Sequence, residues 1–147
     1  MTFHEIADQL GLEAISFGFC RMVFALSPNR VLKVGYSRFG MRSNQLEAEA
    51  AHDLPRRLRA TVYDVAPDGL WLVQERVDSA KRVDMRRKEA RQLRDALERA
   101  FGRYVHDFHS ANVGRRGGGG LVIFDLEFLN RSTWPGDAAD LRRYLNY

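Results

Sequence analysis

Cysteine is almost absent from this chain of 147 residues: Cys20 stands alone, so no internal disulfide can form. Nothing therefore points to an oxidising compartment, and Cys20 reads as a small apolar residue beside a strand. No apolar run approaches the length needed to span a bilayer, which argues against a membrane protein. The opening Met-Thr-Phe-His-Glu lacks a basic stretch followed by an apolar one. No signal peptide is expected, and the expected location is the cytoplasm. Internal repeats are missing too. With 45% hydrophobic and 29% charged residues, the composition is that of a folded domain rather than a disordered segment. Lysine is scarce: only Lys33, Lys81 and Lys88 occur among 23 basic residues.

What is abundant is arginine, and it is concentrated. Residues 81–103 hold nine basic and four acidic side chains, while the whole chain carries +4. That segment is the one basic face the sequence can build. It could attract an acidic partner protein, although a solvated helix face explains it as well. Aromatic residues are few outside its apolar stripe, so nucleic acid is not an expected partner.

The pattern along the chain predicts an α+β protein with a β-rich first half and a helix-led second half. Thr2–Leu10 opens as a short helix with Thr2 and Glu5 in capping-box spacing. Ile15–Val34 reads as two or three strands turning at Pro28-Asn29. Gly35–Gly40 is expected to be a loop, followed by a helix over Asn44–Leu54 that Pro55 closes. Thr61–Ala66 and Leu70–Arg76 form a hairpin around Pro67-Asp68-Gly69. A long helix is expected over Asp84–Tyr104, with Ala90, Leu93, Leu97, Ala100, Phe101 and Tyr104 as its buried stripe. A glycine-rich connector at Gly117–Gly120 precedes the apolar run Leu121–Phe124. A last helix is expected near Asp137–Leu145.

Four places could carry chemistry. Lys33 interrupts the apolar strand Val31-Leu-Lys-Val34, where an ammonium is costly unless paired or solvated. Strand alternation could instead turn it to water. Glu47 shares a helix face with Ala50, Ala51 and Leu54, which would aim it at the core; alternatively it caps the helix with Asn44. The segment Val105-His-Asp-Phe-His-Ser-Ala-Asn112 packs Asp107, His109 and Asn112 closely. A carboxylate and an amide five residues apart can converge on a hydroxyl and a magnesium ion, which prefers oxygen donors. A zinc site of His106, His109 and Asp107, with His4 or His52, is the rival, but no second well-spaced ligand pair exists. Last, Asp125 ends a buried apolar strand, where an unpaired carboxylate is expensive.

In order, these places resemble the protein-kinase-like superfamily, over roughly Ile15–Phe128. Val31-Leu-Lys-Val34 resembles the third-strand lysine that holds the phosphates, and Glu47 the helical glutamate that pairs with it. Trp71-Leu-Val-Gln-Glu-Arg-Val77 resembles the last small-lobe strand entering the hinge, so the backbone from Glu75 to Val77 would meet the adenine edge. His106-Asp-Phe-His-Ser-Ala-Asn112 resembles a catalytic loop, and Phe124-Asp-Leu-Glu127 the metal-binding triplet. The resemblance implies a two-lobed fold in one domain. The small antiparallel-sheet lobe would span about 1–76, and a shortened helical lobe about 77–147. It implies ATP and Mg2+ as cofactors, Lys33, Asp107 and His109 in transfer, and Asn112 and Asp125 on the metal. Gly18 would stand in the phosphate-covering loop, although Ser16-Phe-Gly-Phe-Cys-Arg-Met22 has no other glycine. Val105 replaces the usual catalytic-loop histidine, and Glu127 the usual glycine of the triplet. Twenty residues follow Glu127, too few for the usual substrate-binding helices, so a minimal atypical kinase is expected. The acceptor hydroxyl is unspecified: a protein serine or threonine, the chain itself or a small molecule. A homodimer would supply the missing substrate surface. The alternative is an inactive pseudokinase-like module that binds a partner through the basic 81–103 helix.

Overall fold

A computed structural model describes residues 3–17, 20–78, 83–102, 108, 110 and 112–125. Their elements run α1 (Phe3–Leu10), β1 (Glu13–Phe17), β2 (Arg21–Ser27), β3 (Arg30–Gly35), α2 (Arg38–Asp53), a 3-10 turn (Arg56–Leu58), β4 (Val62–Val65), β5 (Trp71–Glu75), α3 (Lys88–Phe101), β6 (Val113–Arg115) and β7 (Leu121–Ile123). The chain is α+β, as its pattern predicts. Among the described residues, one compact unit takes positions up to 45 together with 62–75. The other takes 46–61 and 76–125, so the division falls inside α2.

The first unit is an antiparallel five-stranded sheet in the order β1-β2-β3-β5-β4. β3 is therefore central, flanked by β2 and β5. Its face alternates as period-two geometry requires: Val31, Lys33 and Gly35 are buried, while Leu32 and Val34 are half-buried. Phe24 and Leu72 are fully covered and anchor the two neighbouring strands.

Two helix boundaries differ from the sequence pattern. The segment Gly35–Gly40 is not a loop throughout, because α2 begins at Arg38. Ser37 caps it: its hydroxyl accepts the Gly40 amide at 3.1 Å, and its carbonyl accepts Met41 N–H at 2.9 Å. Gly40, at the end of that expected loop, is a packing requirement, since a Cβ there would collide with the Cys20 carbonyl. The long helix starts later, at Lys88 rather than Asp84. The Asp84 carboxylate accepts the Arg86 amide at 3.0 Å, and this local turn competes with helix for residues 84–86.

The second unit packs α3 on β7 and on the 3-10 turn. Ala90, Leu93 and Leu97 form the buried stripe, but Ala100 is exposed. Seven residues on from Leu93, Ala100 returns to within about 20° of it, so its exposure comes with its place in the last turn of α3 and not from drift of the stripe. β6 and β7 form an antiparallel hairpin, and Ala60 N–H donates to the Ile123 carbonyl at 2.8 Å, adding a third backbone to it. Tyr104, the Asp137–Leu145 helix expectation and most of the 81–103 segment's ends lie outside the described residues. Among the described residues, no helix is long and apolar enough to cross a membrane.

Candidate functional site

Lys33 lies at the middle of the central strand, opposite Val23 on β2 and Leu72 on β5. It is 5% exposed. Its burial removes the solvent-facing explanation for a lysine in this strand. Burying an ammonium is unfavourable without a counter-charge or strong acceptors, so the position is chemically demanding.

Asn44, on α2, explains how this stretch of β3 is held. Its Oδ1 accepts a hydrogen bond from Arg21 Nη1 at 3.1 Å, and its Nδ2 donates to the Lys33 carbonyl at 3.3 Å and the Gly69 carbonyl at 2.8 Å. One fully buried amide thus joins β2, β3 and the β4–β5 turn. Asn44 is no helix cap, because α2 has already run through its first turn.

The same boundary decides Glu47. It sits in the helix interior, where no free first-turn amide remains for it to cap. Glu47 is fully buried, with Ala50, Ala51 and Leu54 buried on the same face, while Glu49, His52 and Asp53 are exposed. Among the described residues only three charged side chains are buried: Arg21, Lys33 and Glu47. Sequence reasoning singled out two of them and missed Arg21. Its signal was the same as that of Lys33, a charge inside an apolar strand, Cys20-Arg-Met-Val-Phe24.

Glu75 closes β5, half-buried and opposite Arg30. Val77 is half-buried in the second unit, next to Asp78, whose amide and carbonyl both bond to Arg115 at 3.1 and 3.0 Å. Backbone at this point is therefore tied to β6.

Asn112 and Asp125 are brought together by the hairpin. Val113 pairs with Ile123, and the Phe124 amide donates to the Asn112 carbonyl at 2.9 Å. The two residues therefore flank the same end of the β6–β7 ladder. Asn112 is 5% exposed and Asp125 half-buried. An amide oxygen and a carboxylate are hard donors, fitting part of a magnesium shell rather than zinc or copper. No group of three or more His, Cys, Asp or Glu side chains that could hold a metal occurs among the described residues. Gly18, Asp107 and His109 lie outside the described residues, as does the His106 zinc alternative.

At the other, turn end of this hairpin lies a cleft of about 360 Å³, lined by Asp78, Arg87, Glu89, Arg115, Arg116 and Leu121 among others. Arg115 grips Glu89 with both terminal nitrogens, at 3.0 and 3.1 Å. The guanidinium hydrogen bonds hold the Glu89 carboxyl below the usual carboxylate range and push Arg115 up. Arg116 donates to the carbonyls of Arg56 and Arg59 at 3.1 and 2.6 Å. Counting Asp84 among its lining, three acids face three arginines, so the cleft favours ligands of neither sign.

No protein-family model matches this chain, and a search of curated proteins returns no match either. The candidate site stands on the geometry of its own residues.

Proposed function

We propose that this chain is an ATP- and magnesium-dependent phosphotransferase with a protein-kinase-like fold. The observation that carries the reading is the hairpin that seats Asn112 and Asp125 at one end of a single ladder. A second support is order. A buried lysine on the third strand is followed by a helix with a buried glutamate, then by an Asn and an Asp flanking the β6–β7 hairpin. Protein kinases carry their phosphate-holding and metal-holding groups in that sequence.

In this reading Lys33 holds the nucleotide phosphates as a point charge, with Glu47 as its carboxylate partner. The backbone from Glu75 to Val77 bonds the adenine edge, and Gly18 belongs to the phosphate-covering loop. Asn112 and Asp125 hold magnesium, which when bound neutralises charge on the phosphates. Asp107 accepts the proton of the acceptor hydroxyl and keeps its oxygen aimed in line. His109 would offset charge on the transferring group. Catalysis of this kind is mainly positioning and electrostatics, which a small scaffold can supply. A protein serine or threonine, or the chain itself, is the first acceptor to test.

The decisive assay follows γ-phosphate transfer with magnesium, using the chain itself and then a cell extract as acceptor. Asp125→Ala should lose about a hundredfold or more in turnover, the scale of removing one transition-state electrostatic contact. Wild-type transfer by that variant would defeat the assignment. Nucleotide binding is checked separately by thermal shift, where Mg-ATP at about a hundred times its Kd should add about 2.7 kcal/mol. No shift at millimolar nucleotide would favour a partner-binding module over an enzyme.

A further inference from the structure

We infer that Arg21 is a second phosphate-positioning cation, working beside Lys33 on the same face of the sheet. The inference rests on the nucleotide-binding reading and extends it to a residue outside the kinase-like motifs. In the β2–β3 pairing, Val23 lies opposite Lys33 and Arg21 opposite Gly35. Residues directly opposite each other, and residues two apart on one strand, share a sheet face. Arg21 and Lys33 are therefore diagonal neighbours on one face, a backbone separation of about 7–8 Å in such ladders. That separation suits two cations addressing neighbouring phosphoryl groups of one polyphosphate.

Burial sets Arg21 apart from an ordinary strand arginine. It is 8% exposed, in a chain whose other described arginines are all more accessible. Asn44 is one of its partners, and the bond at 3.1 Å to the amide oxygen orients the guanidinium. The same amide holds the Lys33 carbonyl. A single side chain on α2 thus bonds both the Arg21 guanidinium and the Lys33 backbone. Gly35, opposite Arg21, contributes no side chain to that face. A guanidinium fork binds phosphate oxygens in pairs, where an ammonium offers a point charge. Lys33 and Arg21 would then divide the work, one as charge and the other as a directional clamp.

A purely structural Arg21 would brace α2 and have no interest in phosphate number. The distinguishing quantity is therefore a ratio: affinity for Mg-ATP over affinity for adenosine, measured by calorimetry on the full chain. In wild type the ratio should exceed one by a wide margin. Arg21→Gln should lower it about tenfold or more, the scale of losing a charge-assisted contact, with adenosine affinity unchanged. Arg21→Lys should restore part of it. Should Arg21→Gln fail to fold, the ratio is read on Arg21→Lys, which must still fall below wild type. An Arg21→Lys ratio equal to wild type would then overturn the inference. An unchanged ratio in folded Arg21→Gln likewise overturns it and leaves the nucleotide reading standing. No binding of Mg-ATP by wild type defeats both, and the two failures are thereby told apart.

Discussion

The Phe124 amide donates to the Asn112 carbonyl, one step beyond the last paired residues of the β6–β7 hairpin. This rung makes Asn112 and the neighbour of Phe124, Asp125, ends of one rigid ladder rather than points on two loops. The relationship has a chemical consequence. Removing Asn112's side chain should raise the magnesium concentration needed for half-maximal phosphotransfer, while nucleotide stays saturating. Titrating magnesium with Asn112→Ala checks this; a changed KM for ATP at unaltered magnesium dependence would move Asn112 off the metal.

Gly114 sits in β6 close against the segment Val77–Asp78. A Cβ there would approach Val77 Cγ1 to 2.5 Å and the Asp78 carbonyl oxygen to 2.9 Å. Backbone cannot yield as a side-chain tip can, and Asp78 is tied to Arg115 by two hydrogen bonds. Gly114→Ala should cost about 1–3 kcal/mol, the usual range for overpacking. Chemical denaturation of wild type and variant measures it, and a loss below about 0.5 kcal/mol would show that the Val77–Asp78 segment gives way.

Asn44 is the internal joint of the first unit. Asn44→Ala would leave the Lys33 and Gly69 carbonyls and an Arg21 nitrogen without this partner, all at buried positions. The expected cost is roughly 2–4 kcal/mol, because stranded buried polar groups forfeit their solvation. Gln45→Ala, which removes an exposed bond to the Pro67 carbonyl and a long one accepted from Arg42 at 3.4 Å, should cost less than about 1 kcal/mol. Equal costs for the two would contradict the joint.

The Glu89–Arg115 pair sets an acid limb. Arg115 holds the folded-state Glu89 carboxyl below its unfolded value of about 4.3. A group depressed on folding stabilises above the unfolded value and loses that contribution as pH falls through the folded one. Glu89→Gln should therefore differ from wild type in Tm near neutral pH and converge with it in acid. The pair is exposed on both sides, so added salt should shrink the difference as well. A gap that persists at low pH and high salt would mean Glu89 acts through something other than its charge.

Much of this was legible in the residues. The strands around Lys33 and the hairpin at Pro67-Asp68-Gly69 follow from period-two patterning and turn chemistry. The buried stripe of α3 follows likewise from helical spacing, up to Ala100. Boundaries were less legible, for stated local reasons. Ser37 caps α2 inside a segment that reads as a loop, and the Asp84 carboxylate folds back on Arg86 before α3 can start. Arg21 was missed because one charge in a strand is ambiguous until the register says which face it takes.

By itself the sequence determined the chemical inventory and its order: a lysine in an apolar strand, a glutamate in the next helix, an Asn and an Asp around a glycine-rich connector. Periodicity also determined that these would sit on strands and helices of an α+β chain. Only tertiary structure decided that Lys33, Arg21 and Glu47 are buried. Alternation states that two faces exist, but not which one the rest of the protein covers. It also decided that Asn112 and Asp125 share an end of one ladder. Register across a hairpin is set by backbone hydrogen bonding between segments, and no single segment carries that information.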